Sequence, residues 1–241
     1  MTAMLQIAPV ANDKISARTR APWPVLDGGR SETADPMAAL QSIGTVVKFK
    51  RNAAIFNEGD PARCVYKVVS GAIRTCRVLM DGRRQIADFY LPGDFFGLDW
   101  QSEHGFTAEA IADAVVVSYP RSQIERVAEI KPAVQKVLMS MLCKGLSATQ
   151  NHLVMLGRQT AQERLAWFLL RIMERSEDNP NLDLPMSRLD IADYLGLTIE
   201  TVSRGISQFK RKHLISVSGT HQVTLENIDA LEALASGEGE I

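Results

Sequence analysis

The sequence changes in character after Tyr119. From Val46 to Tyr119 it consists of short runs rich in β-branched and aromatic residues, separated by turn signals. The runs are VVKF, VYKVV, IRTCRVLM, QIADFYL and AVVVSY, and the turns include EGDP, SG, DG and PGD. In the segment that follows, apolar residues recur every three or four positions, as they do in amphipathic helices. An α+β fold is therefore predicted, with a β-sandwich or β-roll ahead of a helical region.

Composition restricts the classes of protein that fit this chain. Of the 241 residues 46% are apolar and 23% charged, and the net charge is −1, so any nucleic-acid surface must be local. Cys64, Cys76 and Cys143 form no C-x-x-C pair, which favours reduced thiols over disulfides or zinc. No apolar run approaches the roughly 20 residues of a membrane span, and residues 1–20 lack the apolar core of a secretory signal. We expect a cytoplasmic protein with no membrane partner.

A long helix is predicted from Pro132 to about Gly157, because proline suits a first helical turn. It carries two neighbouring apolar stripes. The first comprises Met139, Leu142, Leu146, Thr149, Leu153 and Leu156. The second comprises Val134, Leu138, Met141, Gly145 and Ala148. One stripe can cover the β domain and the other can meet a partner, which predicts a homodimer interface on the first stripe. A helix buried within one chain is the alternative.

Signals for helix ends continue through the last third of the chain. TAQERLAWFLLRIMER predicts an amphipathic helix with Thr160 and Glu163 as its capping box. SEDNPNLDLP predicts a loop with a possible short strand. A short helix, RLDIADYL, follows Ser187 as N-cap and ends at Gly196. Thr198 then caps a second helix, IETVSRGISQFKRKH.

These two short helices predict a helix-turn-helix, with Ala192 as the small residue where they cross. The segment LISVSGTHQVTL predicts two strands around a turn at 218–220, which form a wing. The C-terminal module is therefore expected to be a winged helix-turn-helix. From Ser187 to Gln222 it carries five Lys or Arg against three Asp or Glu.

The second of these helices has a polar face that its packing does not require. Ile199, Val202, Ile206 and Phe209 mark the predicted buried stripe, and Glu200, Ser203 and Arg204 lie opposite. In a helix-turn-helix this face meets base edges in the major groove. Arginine suits guanine, glutamate suits the cytosine amino group, and serine suits several base edges. The predicted phosphate contacts are Thr198, Ser207, Lys210, Arg211 and Lys212. The alternatives are a helix-dipole carboxylate at Glu200 and a solvated arginine at Arg204.

MSRLDIADYLGLTIETVSRGISQFKRKHLI, at 186–215, resembles the helix-turn-helix of the Crp/Fnr superfamily of bacterial transcription regulators. GDFFG at 93–97 and AQERLAWFL at 161–169 follow the family's order. The resemblance, over about residues 43–235, implies a cyclic-nucleotide-binding-type β-roll, a dimerisation helix and a winged helix-turn-helix that binds double-stranded DNA. Its domains would be a flexible arm at 1–42, a β-roll at 43–130, the dimerisation helix at 131–157 and the DNA-binding domain at 158–241.

The motif E-x-x-S-R at 200–204 is similar to that of the Fnr and FixK branches, which implies an inverted TTGA…TCAA repeat as target. Departures from cAMP-binding members are also present: Leu98 follows the GDFFG motif, and Phe106-Thr107 replaces the Arg-Ser pair that holds the cyclic phosphate. No cAMP binding is expected.

The resemblance also bears on cofactors. Residues 1–42 contain no cysteine, so the iron–sulfur cluster of the Fnr branch is not expected. With cAMP and a cluster set aside, the sequence resembles regulators of the FixK type. These act without a small-molecule effector in microoxic, respiratory and nitrogen-fixation gene control. A haem- or other ligand-gated sensor, with His104, Cys64 or Cys76 as axial ligand, is the alternative. Cys143 and Cys64 are candidates for redox modulation, against inert buried thiols.

LMDGRRQI predicts a hairpin with a type I′ turn at Asp81-Gly82. By resemblance, this turn and the loop at 178–183 are candidate contacts for RNA polymerase, against plain solvated turns. The candidate residues of the turn are Asp81, Gly82, Arg83 and Arg84. A ligand-gated signalling module whose helix-turn-helix contacts protein is a competing hypothesis, and the wing and the basic helix end favour DNA. An enzyme is the least supported, since no nucleophile–base pair or phosphate-cradling loop is recognisable.

Overall fold

The computed structural model describes residues 40, 42–99, 101–176 and 178–239, which all lie in one structural unit, Asp35–Ile241. Of the predicted arm at 1–42, only Leu40 and Ser42 are among the described residues. Leu40 is 1% exposed and packs in a core cluster with Tyr119 and Val134. The folded body therefore begins before residue 43.

The first half of the described chain forms eight antiparallel strands in two four-stranded sheets. The strands are β1 (Thr45–Phe49), β2 (Ala54–Phe56), β3 (Cys64–Ser70), β4 (Ile73–Val78), β5 (Arg84–Tyr90), β6 (Phe95–Phe96), β7 (Thr107–Ala110) and β8 (Ala114–Pro120). One sheet has the order β1-β8-β3-β6 and the other β2-β7-β4-β5. Apolar side chains that alternate along the strands fill the space between the sheets, including Phe56, Val68, Ile73 and Phe96. This is the predicted β-roll.

The predicted β4–β5 hairpin is present, but its turn is not type I′. A type I′ turn needs positive φ at both central residues, and of the pair Asp81-Gly82 only Gly82 has it, at 82°. The amide of Gly82 donates to the carbonyl of Leu79, and the strands rejoin at the pair Val78 and Arg84. A longer loop with a single left-handed glycine thus closes the hairpin, because only the residue without a Cβ takes up that conformation freely.

Two helices follow the β-roll, α1 (Arg121–Ile130) and α2 (Pro132–Arg158). Pro132 begins α2 as predicted, and the helix ends one residue beyond Gly157. Val134 and Leu138 of the second predicted stripe are buried against Val65 and Tyr119 of the β-roll. That stripe attaches the long helix to its own chain.

The C-terminal region is a winged helix-turn-helix, as predicted. Its elements are α3 (Ala161–Arg175), β9 (Asn181–Asp183), α4 (Arg188–Leu195), α5 (Ile199–Arg211), β10 (Ile215–Ser218), β11 (Gln222–Leu225) and α6 (Ile228–Ala235). The possible strand in the loop is β9, which pairs with β11 and completes a β10-β11-β9 sheet. Thr160 and Glu163 form the predicted capping box of α3. One core cluster joins this region to Phe89 of β5 and Met155 of α2.

Candidate nucleic-acid interface

Helix α5 is anchored by one strongly apolar face. Val202 and Phe209 are fully buried and Ile206 is nearly so, which confirms the predicted stripe at these positions. Ile199 was predicted to share this stripe, but it is 40% exposed because it is the first residue of the helix, ahead of the buried turns. Burying three large side chains on one face leaves the opposite face of α5 directed away from the core.

The start of α5 is set by two residues ahead of it. Gly196 ends α4 in the left-handed conformation, with φ of 62°, and the Thr198 hydroxyl accepts a hydrogen bond from the Thr201 amide at 3.2 Å. Farther along, a Cβ added to Gly205 would lie 2.8 Å from Cδ2 of Leu165 on α3. Ala192, predicted as the small residue at a helix crossing, is buried as expected. Gly205 was not predicted to matter, and its bare backbone allows α5 to approach α3.

The three predicted base-reading residues project from one exposed surface of α5. Glu200, Ser203 and Arg204 are all exposed to solvent. Hydrogen bonds from its own backbone amide and from the Thr198 hydroxyl, together with the charge of Arg204, hold the pKa of Glu200 below its ordinary value. Glu200 is therefore an ionised hydrogen-bond acceptor at the start of the helix, one turn from a guanidinium donor.

The predicted phosphate contacts lie on the same surface and toward the end of the helix. Lys210, Arg211 and Lys212 are exposed at the C-terminal end of α5, where cations complement the helix dipole. The Ser207 hydroxyl donates to the Ser203 carbonyl at 2.9 Å. A shallow depression is lined by Ser203, Arg204, Ser207, Gln208, Lys210 and Arg211. Gln208, which was not among the predicted contacts, is thus a half-buried amide beside the base-reading residues.

The predicted dimer stripe on α2 is mostly exposed. Met139, Leu146 and Leu153 are 57%, 61% and 70% exposed, so the described part of the chain leaves them uncovered. Leu142 is half-buried, and the Thr149 hydroxyl donates back to the Gly145 carbonyl at 2.9 Å. A helix buried entirely within its own chain, the alternative considered above, is therefore wrong for this part of α2.

The end of that stripe has a different environment. Leu156 is half-buried and packs on the core of the winged helix-turn-helix, and its side chain lies 3.4 Å from where a Cβ of Gly196 would be. Val154, which the predicted stripe omits, is 62% exposed. Cys143 is exposed on the same helix, and Cys64 is half-buried in β3.

The candidate polymerase-contact residues of the hairpin separate into two groups. Asp81 and Arg83 pair with each other at 2.7 Å on the exposed turn, next to a fully exposed Met80. Arg84 differs, because its guanidinium turns back to Asp190 and Asp193 of α4 at 2.7 and 2.8 Å. Its inclusion with the exposed turn is corrected: it is a half-buried residue between the β-roll and the helix-turn-helix.

Phe106, which replaces the arginine expected in cAMP-binding members, contacts an arginine of a neighbouring strand. Arg77 lies over the Phe106 ring at 4.9 Å, pairs with Glu58 at 2.9 Å and donates to the Gly105 carbonyl. The guanidinium of Arg77 thus already has three partners. His104 is 3% exposed, lies 3.5 Å from the Phe56 ring, and its Nδ1 is 2.8 Å from an Asp99 oxygen. Among the described residues, no group of three or more His, Cys, Asp or Glu is placed to hold a metal ion.

Comparison with known proteins agrees with both halves of this architecture. Residues 46–131 match the cyclic nucleotide-binding domain family, and residues 163–234 match the Crp-like helix-turn-helix domain family. The chain is 40% identical over 210 residues to the nitrogen fixation regulation protein FixK of Azorhizobium caulinodans, covering 85% of each protein. It belongs to the FixK-type branch of the Crp/Fnr superfamily of DNA-binding transcription regulators. The resemblance noted in the sequence is confirmed.

Other FixK-type proteins support this placement. The FixK of Rhizobium meliloti is 38% identical over 201 residues, covering 83% of this chain and 90% of its own. The solved structure of FixK2 from Bradyrhizobium japonicum superposes with a TM-score of 0.77 at 43% identity, covering 80% of this chain and 97% of that one. The α+β fold predicted for a Crp/Fnr member is therefore confirmed. No helix among the described residues is long and apolar enough to cross a membrane.

Proposed function

We propose that this chain is a dimeric, sequence-specific transcription regulator, mainly an activator, that reads an inverted TTGA…TCAA repeat without cAMP, haem or an iron–sulfur cluster. The observation that carries the proposal is the exposed unit of Glu200, Ser203 and Arg204 on a helix whose opposite face is buried. Such a helix enters the major groove with its N-terminal residues toward the bases.

Each of the three residues has a specific chemical role. Arg204 donates two hydrogen bonds to O6 and N7 of guanine, the third base of a TTGA half-site. Glu200 accepts from the amino group of a cytosine, because an ionised carboxylate has only acceptor oxygens. Ser203 contacts a base edge or a thymine methyl group. The carboxylate repels phosphate, so it contributes mainly by discriminating against wrong bases.

The phosphate contacts supply the part of the DNA-binding affinity that does not depend on base sequence. Lys210, Arg211 and Lys212 place three cations at the end of α5, although the chain as a whole carries a charge of −1. Thr198 and Ser207 add hydroxyl groups on the same side. These contacts fix the position of the helix in the groove but do not distinguish base pairs.

An inverted repeat requires two copies of the recognition helix. The exposed residues of the α2 stripe, above all Met139, Leu146 and Leu153, supply an apolar seam for a second copy of the chain. A two-fold dimer then places two α5 helices on half-sites about one helical turn apart.

Activity without an effector is supported by the β-roll. Phe106 and the occupied guanidinium of Arg77 stand where a cyclic phosphate needs a free arginine. The FixK relatives are named for the regulation of nitrogen fixation, and we extend to this chain a role in microoxic, respiratory or nitrogen-fixation genes. The exposed turn of Asp81 and Arg83 is our candidate contact with RNA polymerase.

The decisive experiment is a selection of random DNA on protein purified in air, with no effector added. We expect enrichment of an inverted TTGA…TCAA repeat and binding that does not change when cAMP is supplied. Enrichment of unrelated sequences, or full-strength binding only with cAMP, would overturn the proposal. The matching control for a cluster or haem is the visible absorption spectrum of the same protein sample, which should show neither iron–sulfur nor haem bands.

A further inference from the structure

Asp190 stabilises the first helix of the helix-turn-helix, on which it lies. The residue as a whole is 5% exposed, and its Oδ2 accepts hydrogen bonds from the Ser187 amide at 3.0 Å and the Ser187 hydroxyl at 2.7 Å. The Asp190 amide donates to the same hydroxyl at 3.1 Å. This reciprocal capping box sets where α4 begins. It occupies one carboxylate oxygen and leaves the other available.

Two arginines of the β-roll hold that second oxygen. Nη1 of Arg74 on β4 donates to Oδ1 of Asp190 at 2.6 Å, and Nη2 of Arg84 on β5 donates at 2.7 Å. Arg84 also donates to Asp193 at 2.8 Å, one turn farther along α4. Arg74 is itself fixed by Glu109 of β7 at 2.6 Å. The five side chains form a continuous network from the β2-β7-β4-β5 sheet to α4.

This network is shielded from solvent, so its side chains depend on one another for their hydrogen bonds. The side chains of Arg74, Arg84 and Asp190 are 12%, 22% and 7% exposed. Removing one partner of this network in place would leave the other charge buried and uncompensated, and such a loss is strongly destabilising. The rings of Phe89 on β5 and Tyr194 on α4 lie 5.3 Å apart and pack the same junction. The sheet and the helix are thus held as one body.

The orientation of α4 determines that of the recognition helix. Only residues 196–198 separate α4 from α5, and the Leu197 amide donates to the Ala192 carbonyl at 3.0 Å within that turn. Val202 of α5 and Ile191 of α4 lie in one buried cluster. A group that holds α4 therefore also sets the direction in which Arg204 and its neighbours point.

We propose that Arg74 and Arg84 are positioning residues for DNA recognition: through Asp190 they hold the recognition helix at the angle that a two-fold repeat demands, with no ligand taking part. This inference rests on the proposed function, because it concerns the residues that orient a helix proposed to read DNA. Neither arginine touches DNA. Their effect is on the relative placement of two half-site contacts rather than on the contacts themselves.

The test uses the full-length protein with Arg84→Gln, because Arg74 also supports the β-roll through Glu109. Binding is measured on the inverted repeat with its natural spacing and on the same repeat lengthened by one base pair. Salt dependence and thermal unfolding are measured alongside. Arg84→Lys, which keeps the charge, is the conservative variant. If Arg84→Gln does not fold, the same measurements are made on Asp193→Asn, which removes only one of the ion pairs of Arg84.

Two control variants separate the network from other effects. Lys50→Gln breaks an ion pair with Asp113 whose partners are 87% and 63% exposed, so it changes charge equally without touching the junction. Ser187→Ala removes the hydroxyl of the capping box but leaves both arginines on Asp190. Lys50→Gln should bind like the unsubstituted protein, and Ser187→Ala should lower stability while its preference for the natural spacing stays.

We expect Arg84→Gln to lose about fivefold or more in affinity for the natural spacing, with little change on the lengthened repeat and an unchanged salt slope. Arg84→Lys should recover part of the loss. Retention of the full spacing preference by folded Arg84→Gln or Asp193→Asn would overturn the inference alone, because the unsubstituted protein would still bind its repeat. If the unsubstituted protein itself shows no preference for the repeat, the proposed function fails and the inference with it.

Discussion

The imidazole of His152 lies against the phenol ring of Tyr194, with ring centroids 4.2 Å apart, and its Nε2 donates to the Tyr194 carbonyl at 3.0 Å. The contact joins the long helix α2 to the first helix of the helix-turn-helix. Trp167 of α3 stacks on the same imidazole at 6.1 Å. A titratable side chain thus lies at the point where three helices meet, and it is 8% exposed.

This burial predicts a loss of stability in mild acid. Burial lowers the pKa of His152 from its ordinary 6.5, and the nearby charge of Arg171 lowers it further. The hydrogen bond to the Tyr194 carbonyl and the charge of Asp88 raise it, but burial is the largest effect. Below pH 6.5 the unfolded chain therefore binds a proton at His152 that the folded chain does not bind. The stability contributed by neutral, buried His152 is complete above pH 6.5 and is lost as the pH falls below that value. The melting temperature should drop between pH 7.5 and 5.5 by more than in His152→Gln, which keeps a donor but cannot titrate. Identical pH profiles would contradict the prediction.

The close approach of Gly205 to Leu165 predicts that a methyl group there destabilises the domain. Alanine favours a helix over glycine by about 1 kcal/mol, but overpacking a core costs about 1–3 kcal/mol. Because Leu165 is 1% exposed and has little room to shift, we expect Gly205→Ala to lower the free energy of unfolding by about 1 kcal/mol. Gly157→Ala, at a helical position with no atom within 4 Å, should instead raise it slightly. Denaturant unfolding measures both, and a stabilised Gly205→Ala would refute the packing argument.

Arg204→Ala should remove sequence discrimination at one base pair. The loss of a bidentate contact with guanine costs about 1–3 kcal/mol on the correct repeat and much less on a repeat mutated at that guanine. Fluorescence-anisotropy titrations on the two DNAs measure this difference. Equal affinity of the variant and the unsubstituted protein for the correct repeat would count against base reading by Arg204.

Lys210→Ala should have a different signature. Loss of one phosphate contact weakens binding to all sequences alike and reduces the slope of log K against log salt concentration by about one. Titrations at several salt concentrations, on specific and unrelated DNA, check both features. A loss confined to one base pair would instead place Lys210 among the base-reading residues.

The exposed stripe of α2 predicts a dimer that one charge disrupts. Leu146 is 61% exposed in the single chain, and burial of that remaining surface by a second copy contributes about 1–2 kcal/mol per subunit. Leu146→Glu should therefore shift the protein toward monomers in sedimentation experiments and weaken binding to the inverted repeat. Val78→Glu, at a residue 65% exposed on the β4–β5 hairpin, is the matched control and should leave the mass unchanged. A Leu146→Glu dimer of unaltered strength would move the interface elsewhere.

Features that depend on neighbours in the chain were predictable from the sequence. The capping residues Thr160, Ser187 and Thr198, the left-handed Gly196 and the wing all follow from short patterns, and the structure has each of them. The opposition of Val202 and Phe209 to Arg204 follows from helical periodicity alone. The turn at Asp81-Gly82 shows the limit of such patterns, because loop length decided which residues took positive φ.

Local patterns in the sequence indicated the longer helices, five of the strands of the β-roll and the polar face of α5, but not α1, α6 or the short strands β2, β6 and β7. Which elements pack against one another depends on contacts between distant parts of the chain. Arg84 and Asp190 are 106 positions apart, and Arg74 and Asp190 are 116 apart, so no local pattern indicates that they meet. Periodicity indicates which side of a helix is buried, but the surface that covers it depends on how distant segments pack together. That packing places Arg84 between the β-roll and α4.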